Sequence, residues 1–243
     1  MSKHWRLQKW TRKAHRYLGV FLGIQFLAWT LGGLYFSWTD ISNIRGENKM
    51  ADKQPLPIDA QTIRDDGWFE ALQRLSPNAS FAQIQIIDIL GRAYYQIQLL
   101  SPEEKVILLD AQTLDLKPPL SEEEAISVAQ ASLKSPSKVL KVEYITHAHT
   151  HHEYREKPLP AYAVSFGKPN STTVYVAAKL GTVQSFRSQQ WRIFDFLWML
   201  HTMDYNSRDN INNWLLRLFS LLGLITLSSG FLLFFLTSKF FQK

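Results

Sequence analysis

The chain contains no cysteine, which excludes a disulfide framework, a thiolate metal site and a cysteine nucleophile. Acidic residues are missing from both ends. Neither Met1 to Trp38 nor Trp214 to Lys243 holds an Asp or Glu, so all 21 lie between them. Catalytic signatures are missing too: no GxSxG, HExxH, Walker loop or GxGxxG occurs. No familiar hydrolase, zincin or nucleotide-binding template is therefore available, and a redox role would need an electron donor from elsewhere.

The charge that is present is zoned. Lys3, Arg6, Lys9, Arg12, Lys13 and Arg16 precede the first apolar run, and Arg217, Lys239 and Lys243 belong to the last segment. Of 27 basic residues, 18 remain in the middle against 21 acidic ones, so the central part carries −3 within an overall +6. A soluble nucleic-acid binder would carry its positive charge on the folded domain, so nucleic acid is not an expected partner.

Two segments are long and apolar enough to span a bilayer. YLGVFLGIQFLAWTLGGLYFSW, 17–38, has Gln25 as its only strongly polar residue, and at ~1.5 Å per residue it crosses a ~30 Å hydrocarbon core. WLLRLFSLLGLITLSSGFLLFFL, 214–236, is similar, with Arg217 near enough to its start to snorkel. The first run is too long for a cleaved signal peptide, and no small-x-small site follows it closely, so an uncleaved anchor is expected. Cations flanking short loops stay cytoplasmic. This predicts both termini in the cytoplasm (1–16 and 237–243) and a central domain in the periplasm. Trp5 and Trp10 among the cations suggest that 4–13 lies along the inner membrane surface.

The central domain reads as α+β and repeats. After Leu120, SEEEAISVAQASL opens on a cap, Ser121, with Glu124 at the capping-box position. Short β-rich runs follow at 139–145, 161–166 and 173–177, separated by turn formers and ending at Gly181. The same order, a helix then three strands, occurs upstream at 66–75, 81–87, 94–99 and 106–109. Two tandem units are expected, 39–118 and 119–190, followed by an interfacial amphipathic helix and loop, 191–213. The acids at 65–66 and 122–124 sit at helix starts, where they complement the dipole.

LSEEEAISVAQ, KVLKVEY, LPAYAVSF and TVYVAAKLGTV resemble a PepSY domain, a helix on a small antiparallel sheet. WRIFDFLWMLHTMDY with its following glycine-containing span, and RKAHRYLGVFLG, resemble the membrane parts of PepSY-associated transmembrane proteins. With the two spans, the resemblance implies an α+β chain in a bacterial inner membrane, two transmembrane helices flanking a domain of two tandem PepSY-like units, where many relatives have four or more spans. Some relatives are ferric-siderophore reductases that carry haem on membrane histidines. It thus implies haem b, iron uptake and electron transfer, with His15 and His201 at matching positions. A non-catalytic accessory role, with the PepSY units binding a protein partner, is the alternative.

His15, Gly19 and Gly23 share one face of the first span, an imidazole beside two bare backbone positions that suit a porphyrin edge. Gly19 and Gly23 also form a GxxxG step, which suits close helix packing within the chain, in a homodimer or in a larger membrane complex. His201, with Phe194 and Leu197, occupies one helical face expected on the outer membrane surface. Histidines at such interfaces also serve simply to hydrogen-bond headgroups or backbone. His15 and His201 at opposite mouths, ~30 Å apart, cannot grip one haem within a chain, so any shared ligation must come from a two-fold pair. In THAHTHHEYREK, His147, His149 and His151 recur at period two. On a strand they would face one way and take up Zn²⁺, Cu²⁺ or Fe³⁺ weakly; a solvated hairpin tip is the other reading.

Overall fold

With no proline or acidic side chain in its first 38 residues, the chain has nothing to interrupt a helix at its start. The computed structural model describes residues 3–52, 67–75, 77, 80–100 and 106–238. It divides into two units, residues 1–41 with 192–243, and residues 42–191.

In the first unit, helix α1 (Lys3–Trp38) runs 36 residues without a break, about 54 Å at ~1.5 Å per residue. The expected surface-lying stretch at 4–13 is instead the continuation of the spanning helix. Helix α6 (Trp214–Thr237) is capped by Asn213, whose side chain accepts the Leu216 N–H at 2.8 Å. The two lie antiparallel: His15 meets Ser229 at 2.8 Å, Phe21 meets Phe219 at 5.6 Å between ring centroids, and Phe26 packs on Gly223. Leu22, 1% exposed, fills the seam between them. Helix α5 (Gln189–Thr202) packs residues 194–201 along α1 between Gln25 and Phe36. Phe194 lies 5.0 Å from Phe36, and the Gln25 side chain donates to the Leu200 carbonyl at 2.8 Å. The Phe194–Leu197–His201 face therefore rests on α1 rather than on the membrane surface. It covers the part of α1 that lies beyond the start of α6.

The turn from α5 to α6 is built on Asp204. Its carboxylate accepts the backbone N–H groups of Asn206, Ser207 and Asn210 at 3.2, 3.1 and 2.9 Å, and also the Ser207 hydroxyl. Arg208 pairs with the buried Asp195 of α5.

In the second unit, a short helix α2 (Ile41–Arg45) and a single 3₁₀ turn (Glu47–Lys49) lead in. Helix α3 (Trp68–Leu75) then packs on an antiparallel sheet of β1 (Phe81–Ile89), β2 (Arg92–Leu99) and β3 (Val106–Asp110) in the order β1-β2-β3. Ala71 and Leu72 meet Tyr95, Ile97 and Leu109. Helix α4 (Glu122–Ala131) repeats the arrangement on β4 (Val139–Ile145), β5 (Ala161–Phe166), β6 (Thr172–Ala177) and β7 (Thr182–Ser188), again in sequence order. Its second sheet thus has four strands, not the expected three. In β7, TVQSFRS, polar side chains outnumber apolar ones, and only pairing with β6 declares it a strand. Ser121 caps α4 as a full capping box with Glu124.

Both sheets share one core. Ile89, Tyr94 and Leu108 from the first pack with Ala125, Val164, Val174 and Phe186 from the second half. The β6–β7 turn closes the joint. Gly181, at φ 67°, lies so close to Ile89 that a Cβ there would overlap its Cδ1, and Gln96 donates to the neighbouring Leu180 carbonyl at 3.0 Å.

Candidate functional site

Polar side chains inside an apolar helix pair point to function, because lipid offers them no water. In the first unit the principal one is His15. Its Nδ1 stands 2.8 Å from Ser229 Oγ and 3.2 Å from the Thr226 carbonyl. The Ser229 hydroxyl itself donates to Thr226 O at 2.7 Å, and that carbonyl can only accept. Nδ1 therefore carries the hydrogen, and in the neutral ring Nε2 keeps its lone pair. This is the arrangement in which a backbone or hydroxyl oxygen fixes a metal-binding imidazole by its remote nitrogen.

The structure gives His15 specific neighbours on α6. It faces Thr226 to Gly230, which lie 7 to 11 residues before the end of α6 at Thr237, about 10–17 Å along that helix. The imidazole is thus held in the contact between the two helices, at the height of the exposed cations Lys13 and Arg16 that flank it on α1. Gly230 makes room for it, since a Cβ there would stand 3.2 Å from the ring's Cε1.

Beside this contact runs a groove of about 960 Å³, at the upper end of the roughly 300–1,000 Å³ usual for small-molecule sites. His15, Phe26 and Trp29 line it from α1, and Gly223, Thr226 and Phe231 are among its α6 residues. The Trp29 Nε1 hydrogen is buried and has no partner among the described residues. An imidazole nitrogen without a partner and walls that are apolar apart from Ser220 and Thr226 suit a flat, largely apolar cofactor.

Gly19 and Gly23 behave differently. A Cβ at either would meet no atom within 4 Å. The GxxxG step is therefore not the packing surface for α6; Gly223 and Gly230 on the other helix serve that purpose, the former with Phe26 Cζ 3.0 Å from where its Cβ would be.

His201 lies near the end of α5 in a nest of rings. Trp198 stacks on it at 6.1 Å, with Phe36 at 5.9 Å and Trp29 at 6.1 Å. Its α1 neighbours Trp29 and Phe36 follow His15 by 14 and 21 residues, about 21–32 Å along the helix. Two nitrogens on one iron stand only about 4 Å apart, so the two histidines do not converge on a common haem.

The histidine run of the second unit is corrected more sharply. Strand β4 ends at Ile145, and His147, His149 and His151 occupy the turn beyond it, not a strand with one shared face. His149 and His151 ring centroids are 6.3 Å apart, and His149 Nδ1 is taken by the His151 N–H at 3.2 Å. His147 Nδ1 lies 2.9 Å from Thr146 Oγ1. Among the described residues no three His, Asp or Glu converge as a metal would require. The turn is instead pinned by Tyr154, fully buried, stacked on Tyr175 at 4.9 Å and donating to the Pro158 carbonyl at 2.7 Å; burial pushes its phenol well above the usual range.

A family model described as the PepSY-associated TM region matches residues 1–237. The chain belongs to the PepSY-associated transmembrane family. It is accordingly a membrane protein with an α+β PepSY domain between two apolar helices. No curated protein and no solved structure matches the chain. Within this PepSY-associated protein, the residues that sequence reasoning missed are Ser229, Thr226 and Trp29. The signal for the first was legible: Ser228-Ser229-Gly230 interrupts an apolar run, and small polar residues in such runs mark helix contacts.

Proposed function

We propose that this PepSY-associated protein is a haem-linked electron carrier of the bacterial inner membrane that assists the reduction of ferric complexes in the periplasm during iron uptake. The observation that carries the reading is His15: an imidazole with Nδ1–H held by Ser229 and Thr226 and Nε2 left to ligate, beside a large apolar groove. Bound haem b would supply one-electron redox chemistry there. The protein's own part is to orient His15 and to exclude water with Phe, Trp and Leu walls. His201 is the second ligand candidate, on the side of the PepSY domain. Since the two do not converge, each would take its partner from the same residue of a second copy, in a homodimer. The six cations ahead of the first apolar run support cytoplasmic termini and a periplasmic domain.

The test is optical. Purified membranes holding the protein are expected to show a reducible Soret band that is weakened in His15→Ala and absent in the His15→Ala, His201→Ala double variant. A colourless but folded preparation would rule the reading out.

One observation favours a second reading, an accessory or scaffold subunit without catalytic activity. Among the described residues a Cβ at Gly19 or Gly23 of α1 would meet nothing within 4 Å, which leaves room for another membrane helix to approach closely. Co-purification of a stable, stoichiometric partner with a colourless protein would support it.

A further inference from the structure

Lys9, Arg12, Lys13 and Arg16 fall at i, i+3, i+4 and i+7 of α1, so the helix gathers them on one face. With Gln8 they surround a cavity of about 600 Å³. All four are exposed, and no Asp or Glu occurs in the first 38 residues. Cations at these spacings repel one another along a helix. The same face continues C-terminally as Val20, Ile24 and Leu27, which are 73, 78 and 61% exposed. Four cations thus sit directly at the edge of an apolar ridge, the order of groups found along an anionic phospholipid from its phosphate to its acyl chains.

We propose that this face of α1 is a binding site for one anionic phospholipid. Its phosphodiester is held among Lys9, Arg12, Lys13 and Arg16, and its chains run along Val20, Ile24 and Leu27. Arg12 and Arg16 present planar forks that hold phosphate oxygens bidentately, and the lysines add charge. The ridge selects a lipid over a soluble phosphate, because only the lipid has chains to cover it. The site is independent of the haem reading, since the cations face away from the α6 contact made by His15.

The test is native mass spectrometry of the full chain in mild detergent with added phosphatidylglycerol or phosphatidylcholine. The expected result is one retained phosphatidylglycerol and no retained phosphatidylcholine. Arg12→Gln, Arg16→Gln is expected to weaken retention about 30-fold, roughly a factor of five for each cation removed. Lys3→Gln, Lys243→Gln, which removes the same net charge at the two ends of the chain, is expected to leave it unchanged. Equal loss in both double variants would reduce the effect to general surface charge and overturn the site. Equal retention of the two lipids, or displacement of the lipid by inorganic phosphate at the same concentration, would overturn it as well. If the Arg12→Gln, Arg16→Gln chain does not fold, the comparison of the two lipids on the unaltered protein decides.

Discussion

Gly230 lies flat against the His15 ring, leaving 3.2 Å between the ring's Cε1 and the place a Cβ would occupy. Substitution by Val would force the imidazole off Ser229 and Thr226, and hydrogen bonds between membrane helices are worth roughly 0.6–1.7 kcal/mol. Gly230→Val is expected to shift the ¹⁵N resonance of His15 Nδ1 away from its hydrogen-bonded position and to lower the melting temperature in detergent. Gly19→Ala and Gly23→Ala, which meet no atom within 4 Å, are expected to leave both unchanged. A drop in self-association for those two variants alone would locate the second copy on that face.

Gly181 is expected to be a sensitive glycine of the PepSY domain. Its φ of 67° strains any side chain, and a Cβ would collide with Ile89 of the other sheet. Gly181→Ala is expected to destabilise the domain by about 2–3 kcal/mol, combining backbone strain with overpacking. Chemical denaturation followed by tyrosine and tryptophan fluorescence checks it; a change below about 0.5 kcal/mol, typical of a neutral surface site, would contradict the close packing.

The cap of α4 predicts a smaller loss. Ser121 Oγ accepts the Glu124 N–H at 3.2 Å, and Glu124 returns the contact to the Ser121 N–H at 2.9 Å while meeting Lys117 Nζ at 2.6 Å. Ser121→Ala is expected to cost about 1 kcal/mol. Ser121→Asp, which keeps an acceptor, is expected to recover most of it in the same denaturation experiment.

Asp204 predicts a pH dependence. Burial pushes its carboxyl up, but the Ser207 hydroxyl and the N–H groups of Asn210, Ser207 and Asn206 outweigh this and hold it at about 2, below its usual 3.8. A carboxyl lowered by folding stabilises the native state above its unfolded value and loses that contribution as it is protonated. The α5–α6 turn is therefore expected to lose protection of its amide hydrogens as pH falls from about 4 towards 2, and to be unaffected between 5 and 8. In Asp204→Ala the low-pH transition should vanish, with those amides unprotected at every pH.

Much of the architecture was legible in local patterns. The capping box at Ser121 gave the start of α4, and alternation with turn formers gave β4, β5 and β6. β7 was not legible, because its residues show no alternation strong enough to stand without β6 beside it. The histidine run misled for the opposite reason: period two is a strand pattern only where a partner strand exists, and β4 has no continuation past Ile145.

By itself the sequence determined the two spans, the zoning of charge, the repeated α+β units and His15 as a residue worth attention. These follow from hydrophobic run length, periodicity and local capping, which act over a few residues. Only the tertiary structure decided which residues of α6 His15 meets, which of its nitrogens is free, which glycines make room for neighbours, and that His201 is packed on α1. Each depends on which residues some 175 to 215 positions apart are brought together, and no local pattern carries that information.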